Sequence, residues 1–186
     1  MKYKSLLAAT ALFSTLSLQA ETKNYAIEVD PSTYAFDGYS IHLKKRFESL
    51  PNVQFGVGVY AMDFPDVFVD MHSKNKDKGW NVRLDNGVGL FADVYADESL
   101  SGWFYGGQVA FQRYEIDNIG GSSSYDTLLL MGHGGYRYNI NEQWYLKFWG
   151  DVGYSHKFSG SNRVGALEYD VPKVVPFGAL HIGYSF

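Results

Sequence analysis

The sequence predicts an all-β fold, a transmembrane antiparallel up-and-down β-barrel of eight strands, and three observations carry that reading. Segments of roughly ten residues alternate apolar and mixed side chains along most of the chain, the period of two that a strand imposes. After the first 20 residues no apolar run is long enough for a membrane-crossing helix. The chain closes on Pro176–Phe186, where Gly178, Leu180, Ile182, Tyr184 and Phe186 point one way and Phe177, Ala179, His181, Gly183 and Ser185 the other.

Taken from the start, Lys2 and Lys4 precede an apolar stretch from Leu6 to Leu18, and Ala20 offers a cleavage residue before Glu21. This is the pattern of a signal peptide over residues 1–20, which leaves 21–186 as one barrel domain. Asn24–Asp30 supplies the first strand, with Tyr25, Ile27 and Val29 against Ala26 and Glu28; Val67–Met71 is its rival. Tyr34–Arg46 is the second, setting Tyr39, Ile41 and Leu43 outward and Ser40, His42 and Lys44 inward. In the third, Val53, Phe55, Val57, Val59 and Ala61 oppose Gln54, Gly56, Gly58 and Tyr60. In the fourth, Trp80–Tyr95, Leu84, Val88, Leu90, Ala92 and Val94 oppose Arg83, Asp85 and Asp93.

Gly102–Ile116 follows, with Trp103, Tyr105, Val109 and Phe111 against Gln108 and Gln112. Tyr125–Tyr138 turns Leu128, Leu130, Tyr136 and Tyr138 outward and His133 and Arg137 inward. Trp144–Phe158 sets Trp144, Leu146, Phe148, Val152 and Tyr154 opposite Tyr145, Lys147, Trp149, Asp151 and Ser155. The connections at 47–51, 96–101 and 139–142 are short, whereas 64–78, 117–124 and 159–171 are longer. Short periplasmic turns and longer extracellular loops are the asymmetry of a membrane barrel. A soluble barrel would have to bury the charged stripe, and eight strands enclose too little space for that many charges.

The signal-like start and the terminal Gly183-Tyr184-Ser185-Phe186, ending on an aromatic residue, resemble small single-domain outer-membrane β-barrel proteins of Gram-negative bacteria. The resemblance implies export to the outer membrane, contact with its lipids and lipopolysaccharide, and handling by the barrel-assembly machinery through the strand ending in Phe186. It matches no characterised family residue by residue, so it carries over no catalytic residue and no cofactor.

Composition narrows the partners. Removing residues 1–20 leaves 14 basic and 20 acidic residues, a net charge of −6, which argues against nucleic acid. There is no cysteine, hence no disulfide framework and no thiolate metal site.

The candidate site is a polar network in the lumen: His42, Lys44, Arg83, Asp85, Asp93, His133, Arg137, Lys147, Asp151 and His181. Opposite charges at matched height are expected to pair, since unpaired ones are costly in so narrow a space. Lys44, Asp93, Arg137 and Lys147 fall near the periplasmic end, the three His and Asp151 at mid-height, and Arg83 and Asp85 further out. The histidines lack the spacing of a metal site. Ser155 and His156 are adjacent and project to opposite faces, so they cannot form a catalytic pair. Ser40 and His42 share a face, but it is the lumen, and His72-Ser73 lies in a loop with no orienting acid. Gly56-Val57-Gly58 and Gly87-Val88-Gly89 lie inside strands with no helix after them, so they are not phosphate loops. Lys74, Lys76 and Lys78 at the outer rim are placed to meet lipopolysaccharide phosphates or a partner.

The function expected is an integral outer-membrane barrel with a plugged polar lumen and a non-enzymatic structural or loop-mediated binding role. A narrow ion channel and a lipid A-modifying enzyme are the alternatives.

Overall fold

The computed structural model describes residues 23–186. The proposed signal peptide lies outside the described residues. The main strands are β1 (Tyr25–Val29), β2 (Tyr39–Phe47), β3 (Leu50–Phe64), β4 (Asn81–Tyr95), β5 (Gly102–Asn118), β6 (Gly121–Asn139) and β7 (Trp144–Gly160). A small hairpin, β8 (Arg163–Val164) and β9 (Leu167–Glu168), precedes the last strand, β10 (Val174–Ser185). One helical turn, α1 (Pro31–Ala35), joins β1 to β2, and another, α2 (Asp66–Asp70), lies between β3 and β4.

Eight of the strands close a barrel in the order β1-β10-β7-β6-β5-β4-β3-β2, every neighbour antiparallel. The two ends of the described segment meet at one rim, where Tyr25 and Phe186 exchange backbone hydrogen bonds of 3.0 and 2.8 Å. This terminal rim also carries the tight turns. In the β6–β7 turn Asn141 Oδ1 accepts from the backbone N–H groups of Gln143 and Trp144, a local bond that favours Asn there. The opposite, loop rim carries α2 and the β8–β9 hairpin.

Period-two patterning decides which way side chains face. Ile41, Leu43, Val57, Val59, Leu90, Tyr105, Phe111, Leu130 and Phe148 stand exposed on the outside, and Trp103 is 74% exposed. The inside holds Lys44, Asp93, His133, Lys147 and His181, all buried. Inward Gly56 and Gly58 leave the space that the Lys44 stem and the His42 ring occupy.

Four expectations change. The second strand begins at Tyr39, because Asp30 caps a helix: its Oδ1 accepts from Ser32 N at 2.9 Å, and Pro31 occupies the first helical turn. Val67–Met71, the rival first strand, lies at and just beyond α2. The 117–124 connection is mostly strand, with β5 and β6 paired as far as Asn118 and Gly121. Ala61, assigned to the outer stripe, is buried where Gly38 crosses it.

The fifth change concerns the site itself. Tyr60 faces Gly87 and Met62 faces Leu84, so β4 spends two residues where β3 spends one. The ladder to β5 skips Asp85 in the same way. This bulge inverts the alternation beyond it. Leu84, read as outward, is buried; Arg83 and Asp85, read as luminal, are not in the lumen network. Arg83 instead pairs with Asp63 and donates to the Asp37 carbonyl, while Asp85 is exposed beside Asn86.

Candidate functional site

The lower half of the lumen, towards the terminal rim, is crossed by four buried charges from four strands. Asp93 Oδ2 lies 3.0 Å from Lys44 Nζ and 2.6 Å from Lys147 Nζ. Glu28 lies 3.9 Å from Lys44 Nζ and 3.8 Å from Lys147 Nζ. Two acids and two lysines cancel in charge. Each carboxylate gains a further donor: His133 Nε2 to Asp93 Oδ1 at 2.8 Å, and His181 Nδ1 to Glu28 Oε2 at 2.9 Å. The Tyr145 hydroxyl donates to Glu28 Oε1 at 2.9 Å. The Phe91 ring lies 4.8 Å from Lys44 Nζ, and Phe104 is 4.6 Å from Lys147 Nζ. Buried ions survive only when paired and hydrogen-bonded, which this arrangement achieves. The space left among these side chains is about 10 Å³, about one water's worth.

Of the residues singled out from sequence, Lys44, Asp93, His133, Lys147 and His181 meet in this cluster. Arg137 is separate: its guanidinium sits 3.5 Å from the centre of the Tyr145 ring and bonds to Asn139 and Ser185. Asp151 does not find a cation among the described residues; its Oδ2 accepts from Gln108 Nε2 at 3.0 Å. His42 bonds through Nε2 to Ser40 Oγ at 2.8 Å, and its ring centre is 4.8 Å from that of His181. No carboxylate orients the far nitrogen of His42, which has no hydrogen-bond partner, so the Ser40–His42 pair lacks the third member that activates a hydroxyl. Among the described residues no group of three or more possible ligands is arranged to hold a metal ion.

Glu28 is the residue that sequence reasoning missed. Its place opposite Ile27 marked it as inward, but a short first strand gave no sign that it balances two lysines from β2 and β7.

Above the cluster the lumen becomes largely apolar and holds a cavity of about 280 Å³. His42, Phe91 and His181 lie among its lining residues, as do Tyr60, Leu84, Leu129, Met131 and Phe177. Towards the loop rim Val69, Tyr125 and Tyr169 also line it, and with Trp80 and Val164 they form one buried cluster that serves as its roof. The roof is clamped by a reciprocal pair, Asn75 Nδ2 to the Asp170 carbonyl at 2.9 Å and Asp170 N to Asn75 Oδ1 at 2.8 Å. Lys74 adds an ion pair to Asp170 at 3.4 Å, while Lys76 and Lys78 are exposed. On the hairpin beyond, the Arg163 guanidinium holds the Glu168 carboxyl below its usual range.

No protein-family model matches the chain, and no curated protein does. Among solved structures, the chain is similar to the crystal structure of Neisserial surface protein A (NspA), with a TM-score of 0.50 and 14% sequence identity. The match covers 90% of this chain and 98% of that one. At that identity the likeness concerns the fold. The eight-stranded antiparallel barrel expected from the sequence is the fold observed.

Proposed function

We propose that the protein is an integral outer-membrane barrel of a Gram-negative bacterium, sealed at its lower lumen, that acts structurally or by presenting its clamped loop rim to a partner. One observation carries this reading: the charges are inside and the apolar side chains outside. Glu28 and Asp93 are 0% exposed while Trp103, Tyr105, Phe111 and Leu130 are each more than half exposed. In water this distribution would leave a large exposed apolar belt; in a bilayer it is what a spanning barrel requires. The likeness in fold to a surface protein supports the same setting.

The terminal rim, with its tight turns, then faces the periplasm, and the clamped loops face outward. Exposed Lys76 and Lys78 on the first large loop are the side chains to meet lipopolysaccharide phosphates. Phe186, paired to Tyr25, ends the strand offered to the assembly machinery.

Urea-washed outer membranes run with and without boiling test the reading. The expected result is retention after the wash and a band that shifts on boiling. Loss in the wash without a shift overturns it. In planar bilayers the folded protein is expected to show no conductance steps, because the ion cluster fills the lumen; steady single-channel steps would make it a pore.

A further inference from the structure

The loop-rim half of the lumen holds a cavity of about 280 Å³ that the ion cluster does not need. Protein interiors leave few voids larger than a water molecule, so a space of this size is no packing defect. Its walls are largely apolar, with Leu84, Leu129, Met131 and Phe177 among them. Apolar cavities stay dry and take up apolar molecules. Asp30, His42, His72 and His181 also line this cavity, but over most of its surface a charged group would find no partner, at high cost. The structure thus selects hydrocarbon.

The barrel wall beside this cavity is interrupted. β1 pairs with β10 only from Ala26–Ser185 to Val29–Ile182. Beyond Val29 the chain leaves the sheet for α1, so Val174–His181 of β10 have a ladder partner on the β7 side alone. Among the described residues no backbone hydrogen bond joins α1 to β10. Pro176 lies in this unpaired stretch and offers no N–H to a neighbour. On one side of the interruption Asp30 and Thr33 line the cavity; on the other Val175 and Phe177 do. Outside, Tyr34, Phe36 and Val174 are exposed apolar side chains leading to the same place. The loop rim, by contrast, is held together by the Asn75–Asp170 clamp.

We propose that this cavity binds the hydrocarbon chain of a single membrane amphiphile, admitted sideways from the bilayer between α1 and β10. This inference rests on the membrane reading above, and the two fail separately, since the heat shift on boiling is scored first and on the same preparation.

The full chain would be prepared with Trp149 as its only tryptophan (Trp80→Phe, Trp103→Phe, Trp144→Phe), folded in detergent, and titrated with 1-bromodecane, whose bromine quenches indole on contact. Trp149 lines the cavity, so its emission is expected to fall along a saturating curve. A chain keeping Trp103 alone, on the outer surface, is expected to show only the linear loss of partitioning into the micelle. Filling the space with Leu129→Phe and Met131→Phe is expected to weaken the saturable binding about tenfold or more while the heat shift persists. Should that pair fail to fold, Thr127→Ile fills less of the same cavity and is expected to weaken binding in the same direction. Linear quenching of Trp149 like that of Trp103, or saturable quenching unchanged by filling, overturns the site. An association rate raised about fivefold or more by Asn75→Ala places the door in the roof and overturns the lateral route.

Discussion

His181 Nδ1 donates to Glu28 Oε2 at 2.9 Å, a diagonal pair on the luminal face of the neighbouring last and first strands of the barrel, 153 residues apart in sequence. The same two strands share only four ladder pairs in the wall. Glu28 therefore adds side-chain links to a closure that has few backbone ones. Its carboxylate also faces Lys44, Lys147 and the Tyr145 hydroxyl.

Glu28→Gln is therefore expected to destabilise the folded barrel by about 3–5 kcal/mol, the range seen when one partner of a buried ion network is removed. Two lysines would then share a single carboxylate, Asp93. Adding Lys44→Met to Glu28→Gln restores neutrality and should recover part of the loss. Urea unfolding midpoints of the detergent-folded proteins, read from the heat-modifiable band, check both outcomes. A single variant as stable as the wild type would show that Glu28 is not needed for closure.

The seal gives a second prediction. Lys147 and Asp93 are 2.6 Å apart and fill the lumen with Lys44 and Glu28, leaving about 10 Å³. Removing both as Asp93→Ser with Lys147→Ser keeps the charge balanced and opens space for a file of water. Discrete conductance is expected in the double variant and not in the parent. A silent double variant would mean that the roof over the upper cavity closes the path as well.

Most of the barrel could be read from the chain because period two fixes which face each side chain takes. Alternation alone sets His42, Lys44, Asp93, His133, Lys147 and His181 inward, and all six are buried in the lumen. Alternation is silent about two things. One is height, which strand stagger sets; Arg137 and Asp151 were grouped with charges that lie in other layers. The other is a local insertion: one extra residue at Asp85 reverses every assignment beyond it, so Arg83 and Leu84 exchange roles. Asp30-Pro31-Ser32 did carry a readable helix start. It was obscured by the apolar alternation resuming at Tyr39.

Asp85 yields a deletion test. Without it β3 and β4 match residue for residue, with Asn86 opposite Ala61, and Leu84 and Val82 keep their inward facing. Deleting Asp85 is therefore expected to leave the yield of heat-modifiable barrel close to the parent's, and Asp85→Asn, which keeps the bulge and changes only an exposed carboxylate, is expected to be neutral as well. Arg83→Gln should also be mild, at most about 1 kcal/mol, because its pairing with Asp63 is solvent-exposed. A strong loss of barrel on deleting Asp85 would show that the wall needs the bulge itself.

The loop clamp can be separated from the barrel. Asn75 is fully buried, and its side chain supplies both hydrogen bonds to the Asp170 backbone. Asn75→Ala leaves that N–H and carbonyl unpaired, a local cost of about 1–3 kcal/mol each at most. The expected effect is faster proteolysis within residues 65–80 and 161–173 of the folded protein, with the boiling shift unchanged. Uniform resistance to protease would mean that the aromatic cluster alone holds the roof.

Tyr169 provides the pH dependence of that roof. Burial, reinforced by the neighbouring Asp170 carboxylate, pushes its phenol up to about 12. A pKa raised in the folded state means that the folded roof holds the proton more tightly than the open one. Stability from this group is therefore complete below about pH 10, the ordinary tyrosine value, and is lost as pH rises through the folded value. Its ring centre lies 5.5 Å from Trp80, edge to face, so ionisation and opening are both read by the same indole. Trp80 emission, measured in a chain with the other tryptophans replaced by Phe, is expected to hold steady to about pH 10 and to change between there and about pH 12. In Tyr169→Phe the change over that window should be absent or clearly reduced. A transition of the same size in both proteins would assign the alkaline sensitivity to another tyrosine of the cluster, Tyr125 being the one stacked on Tyr169.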